Sequence, residues 1–590
     1  MAEIKNPNQQ GGGQDSRTIL AFSTIFLLMF LGFQYFKQKK GPEPPPQQQQ
    51  QQGATPATPP IIANVASPTP GQVAIGPSVK AESEDETILE NDLYRIRFSN
   101  RGAQVTSWIL KKYTNESGKP LDLVNSEAAP QHGYPLSLYT YDPVLTKQLT
   151  QALYAPSATG NLTAPAKLTF TYAEAGVKVI KTFSFDSSYV VSADILVTNN
   201  GVPVNAFLAW PSGLGDQETL QSYNTNAQFD TSLNGKFDDE APKKVISGAT
   251  LTNPYDYVGI SDLYFAAIFL PEAPARASVV TLHNKINIPR NRKTPDPNVT
   301  DQASVLGAAV GDSSGHTRLR LFAGPKVIEV LGSVRATAPD GSFTGPDLER
   351  IINFGWLKVI AKPFFLALRW IYQHIIHNWG WAILVLTLFI NLIMLPTRVQ
   401  MMHSALKMQR IQPEMDAIKN RYKNYKMNDP RRQDMNKEIF DLQKREKVNM
   451  FGGCLPMLVQ MPLLFGFYKM LSNVIELRHA DWLWLHDLAA PDPLHVLPVF
   501  FIVTMFLVQF LTPSPGMDPT QQKMMAFTMP VFFGFMTWNL ASGLALYWSF
   551  GNIINVIQQM IMNRTKLGRE MKEIAARRTA KRLGKSAVRK

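Results

Sequence analysis

Between Trp379 and Met562 the chain passes through five apolar stretches: Trp379–Pro396, Leu455–Leu471, Leu494–Leu511, Met524–Leu540 and Leu544–Met562. Each is 17 to 19 residues long, and Lys469 is the only Asp, Glu, Lys or Arg among them. A helix of that length rises about 26–28 Å, close to the thickness of a bilayer's hydrocarbon core. A sixth run, Thr18–Phe36, has 19 residues and no charge. It begins beyond a polar stretch and no small-x-small cleavage site follows, so an uncleaved anchor is expected rather than a signal peptide. The pattern predicts a polytopic α-helical membrane protein with six spans.

Charge orients it. Residues 397–450 carry 13 Lys/Arg against 7 Asp/Glu, a net +6, and residues 563–590 carry 11 against 2, a net +9. The whole chain is +13, so everything else sums to −2. Basic loops stay on the cytoplasmic side. Both basic segments are therefore expected inside, and the acidic loop 476–493 outside. Six spans then put both termini in the cytoplasm. Lys37, Lys39 and Lys40 after the first run point the other way, against Lys5 and Arg17 before it. The two larger segments outweigh them.

Residues 37–81 are rich in Pro and Gln and read as a tether. From about 82 to 345 the texture becomes period-two alternation between turn residues, as in Leu93–Phe98, Val177–Phe185 and Tyr189–Val197. That predicts an antiparallel all-β domain on the outer side. Ile351–His377 mixes aromatic and aliphatic residues with Lys358, Lys362 and Arg369 and contains Pro363, which suits an amphipathic helix in the interface. Residues 397–450 should form a cytoplasmic helical hairpin turning near Asn428, Asp429 and Pro430. Its methionines, among them Met408, Met415 and Met427, suit either contact with varied apolar segments or a packing seam between the two helices.

Little here resembles catalysis. There is no GxSxG, HExxH or phosphate-cradling Gly loop, and no paired carboxylates within a span. A single cysteine, Cys454, excludes a disulfide framework, a Cys-based zinc cluster and a CxxC redox pair. Polar groups inside the apolar stretches are few. Thr387 and Asn391 are four apart and share one helix face. Gln460 lies in the run NMFGGCLPMLVQMP at 449–462, and Gln509, Thr528, Thr537, Asn539, Ser549 and Asn552 complete the set. An amide in hydrocarbon needs a partner or water, and an ordinary interhelical hydrogen bond would satisfy it.

The run NMFGGCLPMLVQMP closely resembles the YidC/Oxa/Alb family of membrane protein insertases. Further matches are NFGWL at 353–357, NWGW at 378–381, Ile411-Gln412-Pro413, HDL at 486–488, DPTQQKMM at 518–525 and SGLALYW at 542–548. The resemblance covers essentially the whole chain and is of the Gram-negative type, with a large periplasmic domain. It implies a five-helix insertase core with a polar groove open to cytoplasm and lipid, a periplasmic β-supersandwich similar to that of sugar mutarotases, and no cofactor, metal or covalent chemistry. Thr387, Asn391, Gln460, Tyr547 and Trp548 are the groove residues it implies, and the hairpin would meet substrate first. Implied partners are nascent membrane proteins and the Sec translocon (SecYEG, SecDF). The basic tail would serve the ribosome or anionic lipids equally. In much of the family a basic residue occupies the position of Asn391, so this groove is expected to lack a fixed charge there. Arg398 lies almost two turns further on. Tyr547 and Trp548 stand where the family often has two tyrosines. Two other classes remain on the residues alone: a tethered sugar-binding or mutarotase-like enzyme, for which His283 and His316 are the histidines available, and a transporter.

Overall fold

The structure is a computed structural model and describes residues 78–290, 299–425, 429–446, 448, 455–512 and 519–587. The anchor Thr18–Phe36, nearly all of the tether, Met427 and Cys454 lie outside the described residues. The chain divides into a β unit within 52–353 and a helical unit comprising 354–472 and 476–590.

Alternation of buried and exposed positions builds the β unit. In Tyr94–Ser99 the side chains of Tyr94, Ile96 and Phe98 are buried while Arg95 and Arg97 face solvent. Val177–Phe185 and Val190–Asn199 repeat the pattern. A ten-stranded sheet runs in the order Lys236–Glu240, Gln228–Leu233, Tyr255–Ser261, Phe265–Pro271, His316–Pro325, Val190–Asn199, Val177–Phe185, Ala166–Glu174, Ala155–Pro156, with Val202–Pro203 paired beside it. Two five-stranded sheets complete the unit. Phe98 of one five-stranded sheet packs on Phe170, Phe183 and Phe185 of the large sheet at ring separations of 5.5–6.0 Å. Trp108 of the same strand system meets Trp210 of the third sheet at 5.7 Å. Pairing is antiparallel as expected, except that Glu86–Glu90 and Gly160–Thr163 pair in parallel. Parallel neighbours require a long crossover, and here about 70 residues separate the two strands.

Two buried polar groups interrupt that core. Lys181 sits on the inward face of its strand, between Val179 and Phe183, and is fully buried. Its ammonium donates to the carbonyls of Gly102 (3.1 Å), Ala103 (2.5 Å) and Leu136 (2.6 Å). These three residues have positive φ, at 71°, 46° and 61°. Three donors meet three acceptors in left-handed turns, so the lysine closes the hydrogen-bond inventory of two loops. Asp230 and Lys326 form the second group. Burial pushes the Asp230 carboxyl up to about 7, with Lys326 attracting it back, and pushes Lys326 down. Lys326 donates to the carbonyl of Asp262 at 2.8 Å.

The helical unit begins with α1 (Lys358–His374), whose Ala361, Phe365, Leu368 and Ile371 are buried along one face while Val359 and Trp370 are exposed. This is the expected amphipathic helix, shorter at both ends. Next come α2 (Trp379–Ile393) and α3 (Leu395–Arg421), joined at a 48° bend, then α4 (Arg431–Arg445). The remainder are α5 (Leu455–Asn473), α6 (Val496–Leu511), α7 (Pro519–Thr537), α8 (Ser542–Arg564) and α9 (Lys566–Ala587). Among the described residues no single helix is both long and apolar enough to cross a membrane. The bent pair α2–α3 passes together, and α6 is a shorter apolar helix. At 15 residues α2 rises only about 22 Å, because Asn378 caps its start and the bend at Met394 ends it.

Lys181→Met should lower unfolding free energy by about 3–5 kcal/mol, read from the urea midpoint, because three buried carbonyls lose their donor. For Asp230 the folded pKa lies above the unfolded value of about 3.9. The native state therefore holds the extra proton, and stability falls as pH rises from about 4 through 7. Asp230→Asn removes that dependence. Its denaturant midpoint relative to the natural sequence should climb between pH 5 and pH 8; a constant difference would contradict the assignment.

A polar seam as the candidate functional site

The expected pair on α2 is present. Thr387 is fully buried and donates its hydroxyl to Ile383 O at 2.6 Å, while Asn391 Nδ2 donates to Thr387 O at 2.8 Å. Each hydrogen bond reaches back four residues along its own helix, leaving the face they share pointed at α8. Gly551 of α8 lies opposite. A Cβ there would sit 3.9 Å from Thr387 Cγ2 and 4.0 Å from Asn391 Nδ2. Two turns on, Gln558 Nε2 approaches Asn391 O at 3.4 Å.

Across the other flank of α8, Asn552 Nδ2 reaches Thr504 Oγ1 of α6 at 3.3 Å. Ser549 Oγ, Asn555 Oδ1 and Gln558 Oε1 are buried and have no hydrogen-bond partner within the described protein. Buried polar atoms are ordinarily satisfied, so these call for water or a guest polar group. The sequence names Ser549 and Asn552 but misses Asn555 and Gln558. Asn555 and Gln558 follow Gly551 at i+4 and i+7 and so share its face, which was the available signal, whereas Ser549 lies about 200° around the helix from Gly551.

One end of the seam is closed by aromatics. Tyr547, one turn before Gly551, stacks on Phe467 of α5 at 4.0 Å and is buried. Gln460 lies seven residues before Phe467, on the same face of α5, and is exposed. Trp548 turns elsewhere, stacking on Phe501 at 5.3 Å and meeting Phe533 edge-on at 6.3 Å. The geometry therefore brings Thr387, Asn391 and Tyr547 to one side of α8, leaves Gln460 exposed two turns along α5 from Phe467, and packs Trp548 against α6 and α7.

Motif residues supply the joints. In the 378–381 stretch, Asn378 Oδ1 accepts from Trp381 N, and its Nδ2 donates to Asp481 O at 3.0 Å. A Cβ on Gly380 would fall 2.2 Å from Trp482, so only glycine admits that indole. Asp492 accepts from Leu497 N at 2.7 Å and from Trp484 Nε1 at 3.2 Å, tying the 476–493 loop to the start of α6. Glu476, counted as an outer charge, is pushed by burial up to about 7 with Arg369 attracting it, which makes it a weaker contributor to that loop's negative charge.

Of the hairpin methionines named from the sequence, the two described ones, Met408 and Met415, fall on the packing side. Met415 is buried with Ile411, Ile418, Leu442 and Val448, and Met408 packs against that cluster. Arg421 and Tyr422 both bind Glu438, at 2.6 and 2.8 Å, closing the hairpin. In the β unit, His316 Nε2 pairs with Asp194 at 2.6 Å on the half-exposed face of the large sheet, and His283 Nδ1 lies against Val245 O. Neither lines the cavity of about 300 Å³ bordered by Leu93, Tyr189 and Val327.

A β unit followed by a helical unit with an apolar exterior and a polar interior stripe defines a membrane-associated chain with an appended globular domain. Two family models match: the YidC periplasmic domain over 87–367 and the 60Kd inner membrane protein over 370–570. The membrane protein insertase YidC of Ralstonia nicotianae is 31% identical over 95% of this chain and 99% of its own length. That of Geobacter sulfurreducens is 34% identical over 80% and 85%. A solved structure, an active YidC insertase with its first transmembrane domain resolved, aligns with 84% of this chain and 96% of its own at 18% identity and a TM-score of 0.33, too low to bear on the fold. The chain belongs to the YidC family of membrane protein insertases, in its Gram-negative form with a periplasmic β domain.

Gly551→Leu should fill the seam between α2 and α8 while leaving helix content intact. Insertion of a substrate with a polar translocated segment should drop about tenfold, as expected from placing a bulky side chain in a formed site. Gly551→Ala, which meets only ordinary contacts, should retain activity.

Proposed function

We propose that this chain inserts proteins into the bacterial inner membrane by lodging a polar segment of the client in the α2–α8 seam. The buried acceptors without a partner on the face of α8 that carries Gly551, Asn555 Oδ1 and Gln558 Oε1, support this reading. They can take N–H donors from a client backbone that would otherwise be desolvated in hydrocarbon. The client's apolar segment then moves along exposed faces of α2 (Leu388, Phe389, Leu392) and α6 (Val499, Val503, Phe506). Burial of about 20 apolar residues in lipid drives the transfer, so no nucleotide or cofactor is needed. The protein is an insertase and not an enzyme.

The finer topology belongs to the same proposal: six spans counting Thr18–Phe36, both termini cytoplasmic, and the β domain periplasmic. The α3–α4 hairpin meets the client first, through exposed Phe440 and half-buried Met408, while Met415 keeps the hairpin closed. The Sec translocon, the ribosome and anionic lipid are proposed partners, the last two through the basic tail. Arg398 supplies cationic character near the mouth. It is half-buried, with no ion pair among the described residues, and it falls between Asn391, which Gln558 approaches, and Met402, which belongs to the cluster containing Met562.

Purified protein in liposomes, given a small two-span client, should yield protease-protected fragments above empty liposomes. Asn391→Leu should reduce protection several-fold for clients with polar translocated tails and little for apolar ones. Equal insertion across that series would remove the seam from the mechanism. Arg398→Gln should selectively slow clients with acidic tails, by about five- to tenfold if one charge-assisted contact is lost; uniform behaviour would assign Arg398 to packing alone.

A further inference from the structure

Beyond the seam, α9 packs along α3. After α8 the chain turns a corner at Thr565, whose hydroxyl accepts from Gly568 N at 3.3 Å. A Cβ on Gly568 would lie 2.3 Å from Met562 O and 2.6 Å from Asn563 Cα, so the corner requires glycine. The chain then runs as α9 along α3. Leu567, Met571 and Ile574 recur at i, i+4 and i+7 and form its apolar face. They pack with Met402, Ala405, Leu406 and Met562. Met402, Leu406 and Met571 are 5%, 5% and 3% exposed. At the rim, Arg410 pairs with Glu570, one turn beyond Leu406 and one residue before Met571. Lys566, Arg569, Lys572 and Arg577 lie exposed on the rest of α9.

Among the described residues the contact comprises three buried side chains, four partly buried ones and an ion pair whose partners are 55% and 41% exposed. Such pairs add little holding strength. What α9 covers is a strip of α3 that begins about two turns past the α2–α3 bend, together with Met562 at the end of α8. We propose that α9 is a displaceable clasp. Closed, it shields the Met402–Leu406 strip. Open, it yields that strip to an apolar stretch of incoming client while its basic face stays with the cytoplasmic anionic surroundings. Methionine and leucine on a continuous helix suit such varied apolar guests. The inference rests on the insertase reading and adds to it a moving part.

The test uses the full-length protein in liposomes, with Cys454→Ser as the thiol-free background and Leu406→Cys with Met571→Cys added. Mild oxidant should link the two cysteines, and the locked protein should insert the two-span client at least about fivefold less than the same sample after reduction. Oxidant should not change the Cys454→Ser protein. Failure of two maleimide-reactive cysteines to link, or equal insertion by locked and reduced protein, overturns the clasp. A second readout needs no insertion. Maleimide labelling of Leu406→Cys alone should accelerate about fivefold on adding Glu570→Arg and return when Arg410→Glu is added as well, the scale of one exposed pair. Identical labelling rates in all three overturn the clasp too. If reduced protein inserts no better than empty liposomes, the insertase reading fails, and the labelling series alone decides the clasp.

Discussion

The helical unit depends on an inversion of the usual arrangement of polar and apolar surface. Leu388, Phe389, Val503, Phe506 and Phe510 point outward, whereas Thr387, Asn391, Ser549 and Asn552 point inward. In water that distribution would cost free energy on both sides. Surrounded by lipid tails it costs little outside, and inside it leaves acceptors without a partner among the described residues. The bundle is therefore stable as a scaffold and incomplete as a hydrogen-bonding system.

Close helix approach keeps that interior from collapsing or opening at random. Gly466 lets α5 meet Ile360 of α1, and Gly534 lets α7 meet Ile502 of α6, at distances where a Cβ would clash. Gly551 differs, since a Cβ there meets only van der Waals contacts. The tight glycines fix the frame, and the loose one faces the seam. Without a solvent-driven hydrophobic term between helices in lipid, such backbone proximity is what packing has to work with.

Much of this was legible. Alternation in Leu93–Phe98 and Val177–Phe185 announced strands, and the four-residue spacing of Thr387 and Asn391 announced a shared face. Other features were not. Lys181 reads as one more outward lysine until its strand register turns it inward, and the carbonyls it binds come from loops about 45 and 80 residues away. Met415 could serve contact or packing on composition alone; only the position of Leu442 and Val448 decides that its side chain is enclosed. Trp548 follows Tyr547 in sequence, yet a helix turns successive residues 100° apart, so the two face different neighbours. The docking of α9 was invisible for a related reason. Its apolar spacing of 567, 571 and 574 is overlaid by eleven basic residues in the tail, which dominate any average over the segment.

Asn391 shows why a missing charge need not be a missing function. Its Nδ2 bonds to Thr387 O beside Gly551 of α8, so the amide is anchored to its own helix. An arginine there would require a counter-ion or water in the seam, because an unpaired buried guanidinium is expensive. The amide has no such demand and can remain in place while the seam is unoccupied. Under the proposed mechanism, neutral polarity would admit clients of either sign. Discrimination by charge would then fall to Arg398, which is half-buried, so that solvent can share the cost of its guanidinium.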